Sequence, residues 1–570
     1  MKSMSGSTLR HLLPVGALAL AALLTPKPAH ACGGFFCSAT NPVNQAAERI
    51  IFAKNADATV TAIIEIQYQG PSTSFSWLLP ISGVPMGKDI GVASNIAFQR
   101  LQQATNPQYN LTVRVEGTCD QQPNNNSRGG PSAVSGTVAP EASLDDAGGS
   151  GVTVEASGIV GAFEFAVISL DPKLKSPADA AVNWLGANGY DVPPGAPGLF
   201  GPYLEDGLNL LALRLKKGAD SGAIRPIALT YPADKPMIPI KLTAVAANDD
   251  MGVMTWLLGD SRAVPQNYYA LELNEARINW FSASATYNQV VTEAADDAGG
   301  QGFVTEQAGP TSALANVVWS TAEEQEWQRL QALTAGGTQA YTQAVQLYAQ
   351  FDGFWEVVTD HVALPPGVTL DQLKQCPYCT QNLVADAGFV AALATDVVAP
   401  VKLVQDLIAA HPQITRLYTT MSAAEMTVDP LFSFNPDLKA VNNVHTAERV
   451  IECSAGYYQD EAPWRIELPQ GGVIRGGPSD VGNWPASFAS QPPNFAITRQ
   501  GESGTGEMLE DNSGKIKSAI ASYSDSVKAP PRRTSTSALG GCSMSSKPGS
   551  GGWALGLLGL ALLCGRRRNR

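Results

Sequence analysis

"AIIEIQYQG" (Ala62–Gly70) decides how the chain is read. Ile64, Ile66 and Tyr68 alternate with Glu65, Gln67 and Gln69. A period of two sends successive side chains to opposite faces, so the stretch predicts a strand with one dry face and one wet face. The pattern recurs outward along the chain. "NLTVRVEG" (Asn110–Gly117) predicts a strand with Leu111, Val113 and Val115 inward, and "FEFAVISL", "LLALRLKK" and "MIPIKLTAVAA" predict three more. One helix is expected among them, "SPADAAVNWLGANGY". There Ser176 suits the N-cap, Pro177 the first helical position and Asp179 a capping box, while Gly189 can close the end in a left-handed cap.

From about Thr311 to Val444 the period becomes helical. Capping-box patterns run from Thr321 to Glu324, Thr369 to Gln372 and Ser422 to Glu425. Aromatics at helical spacing in "YTQAVQLYAQFDGFWEVV" read as core. Strand character returns with "AERVIEC" (Ala447–Cys453), which echoes "AERIIF" (Ala47–Phe52); "TWLLGDSRAVP" likewise echoes "SWLLPISGVP". Duplicated strands and coincidence both account for such short echoes. The expected fold class is α+β: a β-rich domain over 32–310, a helical subdomain over 311–444 and a β-rich part over 445–527. The Pro/Gly-rich stretch 120–158 predicts a mobile loop. "DDAGG" occurs at Asp145–Gly149 and again at Asp296–Gly300, without the alternating oxygen ligands of a calcium loop, so both copies read as solvated linker.

The ends of the chain read as targeting. Lys2 and Arg10 precede the apolar run Leu12–Leu24, and "AHA" places small residues before a cleavage between Ala31 and Cys32, so 1–31 is expected to be a signal peptide. Lipidation at Cys32 is the weaker alternative, because Ala29 stands where that signal wants Leu. A linker over 528–552 carries Cys542. It leads to an apolar segment over 553–565 and a tail over 566–570 with Arg566, Arg567, Arg568 and Arg570. The apolar part is shorter than the ~20 residues that span a hydrocarbon core unaided, and the arginines are expected on the cytoplasmic side.

The 570 residues are 44% hydrophobic and 16% charged, which fits a folded chain. The net charge is −13, and it becomes more negative without the leader and the tail, whose seven Lys and Arg have no acidic counterparts. Such a surface repels nucleic acid and excludes DNA or RNA as a partner. Six of the eight cysteines lie between the leader and the 528–552 linker: Cys32, Cys37, Cys119, Cys376, Cys379 and Cys453. An even count in an exported chain suggests disulfides. Local pairing of Cys32 with Cys37 and Cys376 with Cys379 leaves Cys119 and Cys453 as a long-range staple, one of many connectivities.

No catalytic constellation stands out. "CPYC" (Cys376–Cys379) has the spacing of a thiol–disulfide oxidoreductase, but no βαβ pattern surrounds it, and a structural staple is the plainer reading. His361, His411 and His445 are not paired at metal-ligand spacing and read as surface or helix residues. "GDSR" (Gly259–Arg262) and "GESGTG" (Gly501–Gly506) do not form a nucleophile elbow. In "DPLFSFNPDL", turn chemistry accounts for Asp429, Asn435 and Asp437, with a carbohydrate or cation contact left open. No cofactor or metal is called for, and the ligand is unknown.

Two resemblances complete the reading. "GC" at Gly541–Cys542, the Ser/Gly spacer, the apolar segment and the arginine cluster resemble the MYXO-CTERM sorting signal. That likeness implies a sorting protease after signal peptidase, a mature end near Cys542, and membrane anchorage through the C-terminus. "ACGGFFC", "AERIIF", "SWLLPISGVP", "WLGANGYDVP", "RPIALTYPADKPMIPIKLTAV", "TWLLGD" and "RLYTTMSAAEMTVDPLFSFNPDL" together resemble the bacterial domain of unknown function number 2330. That resemblance implies an exported envelope protein and brings no activity. The expected role is non-enzymatic binding or structure at the cell surface, with an oxidoreductase using Cys376 and Cys379, or a surface hydrolase, as alternatives.

Overall fold

A computed structural model describes residues 35–36, 44–69, 76–85, 89–120, 152–171, 173–190, 196–215, 224–244, 247–379 and 382–533. The leader with Ala31 and Cys32, Cys37, most of the 120–158 loop, Cys542, the 553–565 segment and the terminal arginines lie outside them. Among the described residues no helix is long and apolar enough to cross a membrane.

The stretch that opened the reading lies in the strand Thr59–Gln69, inside a ten-stranded sheet. From edge to edge the sheet runs Glu507–Asp511, Asn494–Arg499, Tyr269–Leu273, Gly302–Pro310, Gln413–Met421, Ala247–Gly259, Asn44–Lys54, Thr59–Gln69, Ile227–Pro232 and Ile90–Val92. Ala247–Gly259 runs parallel to Asn44–Lys54, and Tyr269–Leu273 parallel to Gly302–Pro310; the other neighbours are antiparallel. Over Thr59–Glu65 the expected wet face does not exist. Ile50 pairs with Ile64 and Ile51 with Ile63, and the two pairs enter different cores. Even Glu65 is buried, ion-paired to Arg49. A strand covered on both faces keeps its period of two but loses its polar side.

Four layers follow from these cores. On one face of the large sheet, Ile51, Ile63, Trp256 and Ile414 pack against helices between Thr321 and Ala410, including Tyr341, Tyr348, Phe354 and Phe389. On the other, Ile50, Phe52, Ile64 and Leu257 meet Trp77, Leu79, Phe165, Leu211 and Leu213 of a five-stranded sheet. The far side of that second sheet carries the helices Pro177–Ala187 and Ala196–Glu205, with Trp184 and Phe200 over Leu78, Ile168 and Leu210. The architecture is α+β and β-rich. At one end a four-stranded sheet, Val473–Gly476, Trp464–Glu467, Val444–Cys453 and Gln108–Gly117, packs with the helices Tyr287–Asp297 and Ser513–Ser526 around Trp464, Ile466 and Trp280. The two echoing segments are both strands, each with an antiparallel next neighbour and a parallel partner on its other side.

Several local expectations are corrected. "MIPIKLTAVAA" is not one strand: Ile240–Thr243 forms a single helical turn, because Pro239 removes a ladder donor and the Lys241 amide donates to Asp429 instead. "RLYTTM" belongs to the strand Gln413–Met421, so the helices end at Ala410 and not near Val444. The Ser422 to Glu425 box closes only a turn. The box at Thr321 sits one residue earlier, on Ser320 and Glu323, whereas the Thr369–Gln372 box forms as read. Ser176 is the N-cap residue but makes no side-chain cap bond. Val113 and Val115 are more than 40% exposed on an edge strand. Val152–Val160 is a strand, not loop. The second "DDAGG" is no linker: it ends the helix Tyr287–Asp297, with the Gly300 amide returning to the Ala295 carbonyl.

Candidate functional site

The Val444–Cys453 and Gln108–Gly117 strands run parallel with His445 opposite Tyr109. The two rings stack at 4.5 Å and 12°. Tyr109 in turn meets Trp280 edge-on and leans on Tyr287. His445 Nδ1 lies 2.6 Å from Glu275 Oε1. Glu275 is placed by a short turn that buried Asn274 caps, its side chain accepting the Ala276 amide at 3.0 Å. Gln470 clamps the same turn. Its oxygen accepts the Glu275 amide, and its nitrogen donates to Glu272 and to the Leu273 carbonyl.

Tyr109, Glu272, Glu275, Tyr287, His445 and Gln470 line a cavity of about 660 Å3, within the range of small-molecule sites. Its wall also holds Arg262, Thr305, Thr498, Gln500, Phe495 and Lys517. Burial raises the Glu272 carboxyl above its ordinary value, against the lowering effect of the Gln470 bond. Behind the wall, Tyr287 donates to Glu306, and Glu306 Oε2 lies 2.5 Å from Arg416 Nε. Both members of this ion pair are about 2% exposed or less. Burial pushes Glu306 up, and Arg416 and Tyr287 oppose that. Burial, then the Glu275 and Glu306 charges, drive the Tyr109 phenol far up; burial and Glu306 do the same for Tyr287.

Three buried polar atoms of the wall have no hydrogen-bond partner: Arg262 Nε, Glu275 Oε2 and Gln500 Oε1. Leaving such atoms unpaired costs roughly 1–3 kcal/mol each.

Of the residues the sequence singled out, only His445 and Arg262 come here. His411 is buried, bonded to the Leu407 and Lys54 carbonyls. His361 pairs with Asp386 at the end of a helix. Gly501 and Gly504 give their carbonyls to Asn435, and the Gly504 amide donates to Asp437, so those motifs hold two turns together. Asp429 accepts from Tyr203 and from the Lys241 amide. Cys119 is bonded to Cys453 and Cys376 to Cys379. Cys376 caps the C-terminus of the helix Leu370–Gln375. The negative end of the helix dipole therefore faces the pair, the reverse of what stabilises a reactive thiolate. Tyr109, Glu275, Tyr287, Glu306 and Arg416 escaped the sequence reading, since no local spacing announces contacts such as Tyr109 with His445 or Glu275 with His445, the latter 170 residues apart.

A family model described as "Uncharacterized protein conserved in bacteria (DUF2330)" matches residues 26–361. No curated protein matches the chain. Among solved structures, a mutated baculovirus P35 after caspase cleavage is 10% identical and aligns over 40% of this chain and 78% of that one, with a TM-score of 0.22.

Proposed function

The chain belongs to the DUF2330 family of bacterial proteins, and from that premise we propose that it is an exported, C-terminally anchored cell-envelope protein that works by non-enzymatic binding. The cavity beside Glu275 and His445 is its site. One observation carries the reading: a cavity of about 660 Å3 sets the rings of Tyr109, Tyr287 and Phe495 beside the Glu275–His445 pair, the mix of apolar faces and a few fixed polar groups that small-molecule sites share. The wall's own chemistry favours holding over turnover. Its lining residues include threonines but neither serine nor cysteine.

Two disulfides support an oxidising compartment. Signal peptidase and a C-terminal sorting protease would process the ends, and the membrane would hold the mature C-terminus. The alternative of a surface hydrolase draws on the Glu275–His445 pair, which holds an imidazole as a general base is held.

The intact mass of protein purified from its own envelope tests export and anchorage. The expected species begins at Cys32 and ends near Cys542, with a modified terminus. A full-length chain ending at Arg570 would contradict the sorting step, and a retained leader would contradict export.

A further inference from the structure

We propose that this cavity binds an organic anion, a carboxylate or phosphate carried on an apolar chain or ring; the inference rests on the binding reading above and names the ligand class. Two cations of the wall, Arg262 and Lys517, have no ion pair among the described residues. Acids outnumber Lys and Arg by 51 to 38 in this chain, so a cation goes unpaired by its placement and not for want of carboxylates. Arg262 is the better held of the two. It is half-buried, and burial alone lowers its guanidinium from the ordinary value, with no neighbouring carboxylate to offset it. Its Nη1 donates to the Lys439 carbonyl and its Nη2 to the Thr305 hydroxyl, which fixes the group and leaves one hydrogen on each of these nitrogens. Nε is shut off from solvent, so a ligand meets the charge through the Nη end. A partly desolvated guanidinium without a counter-charge is a cost to the free protein that an incoming anion removes.

The acids of the wall do not take that role. Glu275 lies against His445. Glu272 accepts from Gln470, and burial raises its carboxyl against that bond. Lys517 is exposed and lies over the Phe495 ring. It lowers the Asp511 carboxyl only as a minor cause, behind the Ser513 bonds. It therefore adds a second point charge, on a flexible stem, to the fixed one at Arg262. Much of the remaining wall is apolar, with Tyr109, Leu271, Leu273, Val304, Val441 and Phe495. A bare inorganic ion would leave those faces uncovered. A fixed charge with apolar faces around it suits a ligand with one ionic head and an apolar body.

Calorimetric titration of the purified protein tests this. The probes are octanoate and octyl phosphate, with octanol and octylamine as their neutral and cationic counterparts and inorganic phosphate as a head without a body. The expected result is saturable binding of octanoate or octyl phosphate, about ten-fold or more tighter than that of octanol, as a hydrogen bond to a charged group supplies. Arg262→Gln is expected to remove that advantage and leave octanol binding unchanged. Lys517→Ala, at an exposed position, is expected to weaken both anions less, and more at low salt than at high. Val441→Trp, which fills the cavity from a half-buried position, is expected to abolish binding of every octyl probe. Thermal unfolding checks that the three variants remain folded. Tighter binding of octanoate assigns a carboxylate head, and tighter binding of octyl phosphate a phosphate head. Octanol or octylamine binding as tightly as the anions, or an advantage that survives Arg262→Gln, would overturn the anion class while leaving the binding site in place. Inorganic phosphate binding as tightly as octyl phosphate would overturn the apolar body. Anion binding unchanged in Val441→Trp, or no saturable binding of either anion, would overturn the proposal outright.

Discussion

Replacing Arg416 with methionine is expected to cost about 3–5 kcal/mol of stability at pH 8, the penalty for orphaning one member of a buried ion pair. Arg416 and Glu306 are both nearly inaccessible. Arg416 also donates to the Thr105 hydroxyl and the Gln102 carbonyl and lies over Trp256. Methionine fills much of the volume and leaves the Glu306 carboxylate with Tyr287 alone. The loss should depend on pH, with a sign fixed by the direction of the Glu306 shift. Burial raises its carboxyl in the folded state. Protonated Glu306 thus favours folding at low pH, and that contribution is lost as pH rises through the folded value. Without Arg416 the rise is larger, so the variant should recover part of its loss at pH 5. Guanidinium unfolding at both values reads this out. The Glu306→Gln/Arg416→Met double variant should be closer to wild type than Arg416→Met. A loss under about 1 kcal/mol, independent of pH, would mean that water reaches the pair.

Cutting the Cys119–Cys453 link is the second large effect. The bond spans 334 residues of sequence, and loop-closure entropy places its contribution near the top of the usual range, roughly 5 kcal/mol. It joins the ends of the parallel strands Gln108–Gly117 and Val444–Cys453, just beyond the pairing of Gly117 with Cys453. Gln108–Gly117 is an edge strand whose side chains are mostly exposed, so few apolar contacts hold it otherwise. The Cys119→Ser/Cys453→Ser variant should therefore lose about 3–5 kcal/mol in guanidinium unfolding. It should also exchange the Gln108–Gly117 amides early, taking the Tyr109–His445 stack and the cavity wall with it. Unchanged exchange in that strand would show that the backbone ladder suffices.

What the sequence disclosed was local. Alternation marked Ala62–Gln69 as strand, because two-sided burial preserves the period, yet it could not reveal that the polar member Glu65 has a buried partner in Arg49. The Thr369 capping box and the aromatic run around Tyr348 were legible because their physics lies within a few residues. Gln413–Met421 was hidden behind a long helical stretch, and as a strand buried on both faces it carries no alternation. Ile240–Thr243 was misread because apolar residues between prolines look like a strand when the competing Asp429 contact is unseen. The site was almost wholly hidden. Tyr109, Glu275 and His445 meet only through a parallel pairing and a capped turn far apart in the chain. His445, read as a surface or helix residue, proved to be a strand residue facing the cavity.

In the protein's working state the cavity is expected to be occupied. Native mass spectrometry of protein taken from its own envelope, wild type beside Val441→Trp, addresses it directly. Val441 suits the comparison because its backbone is fixed by paired 2.8 Å bonds to Ala308 while its side chain lines the cavity. A non-covalent added mass is expected on the wild type and not on the variant. A bare polypeptide mass for both proteins, or the same added mass on both, would contradict it.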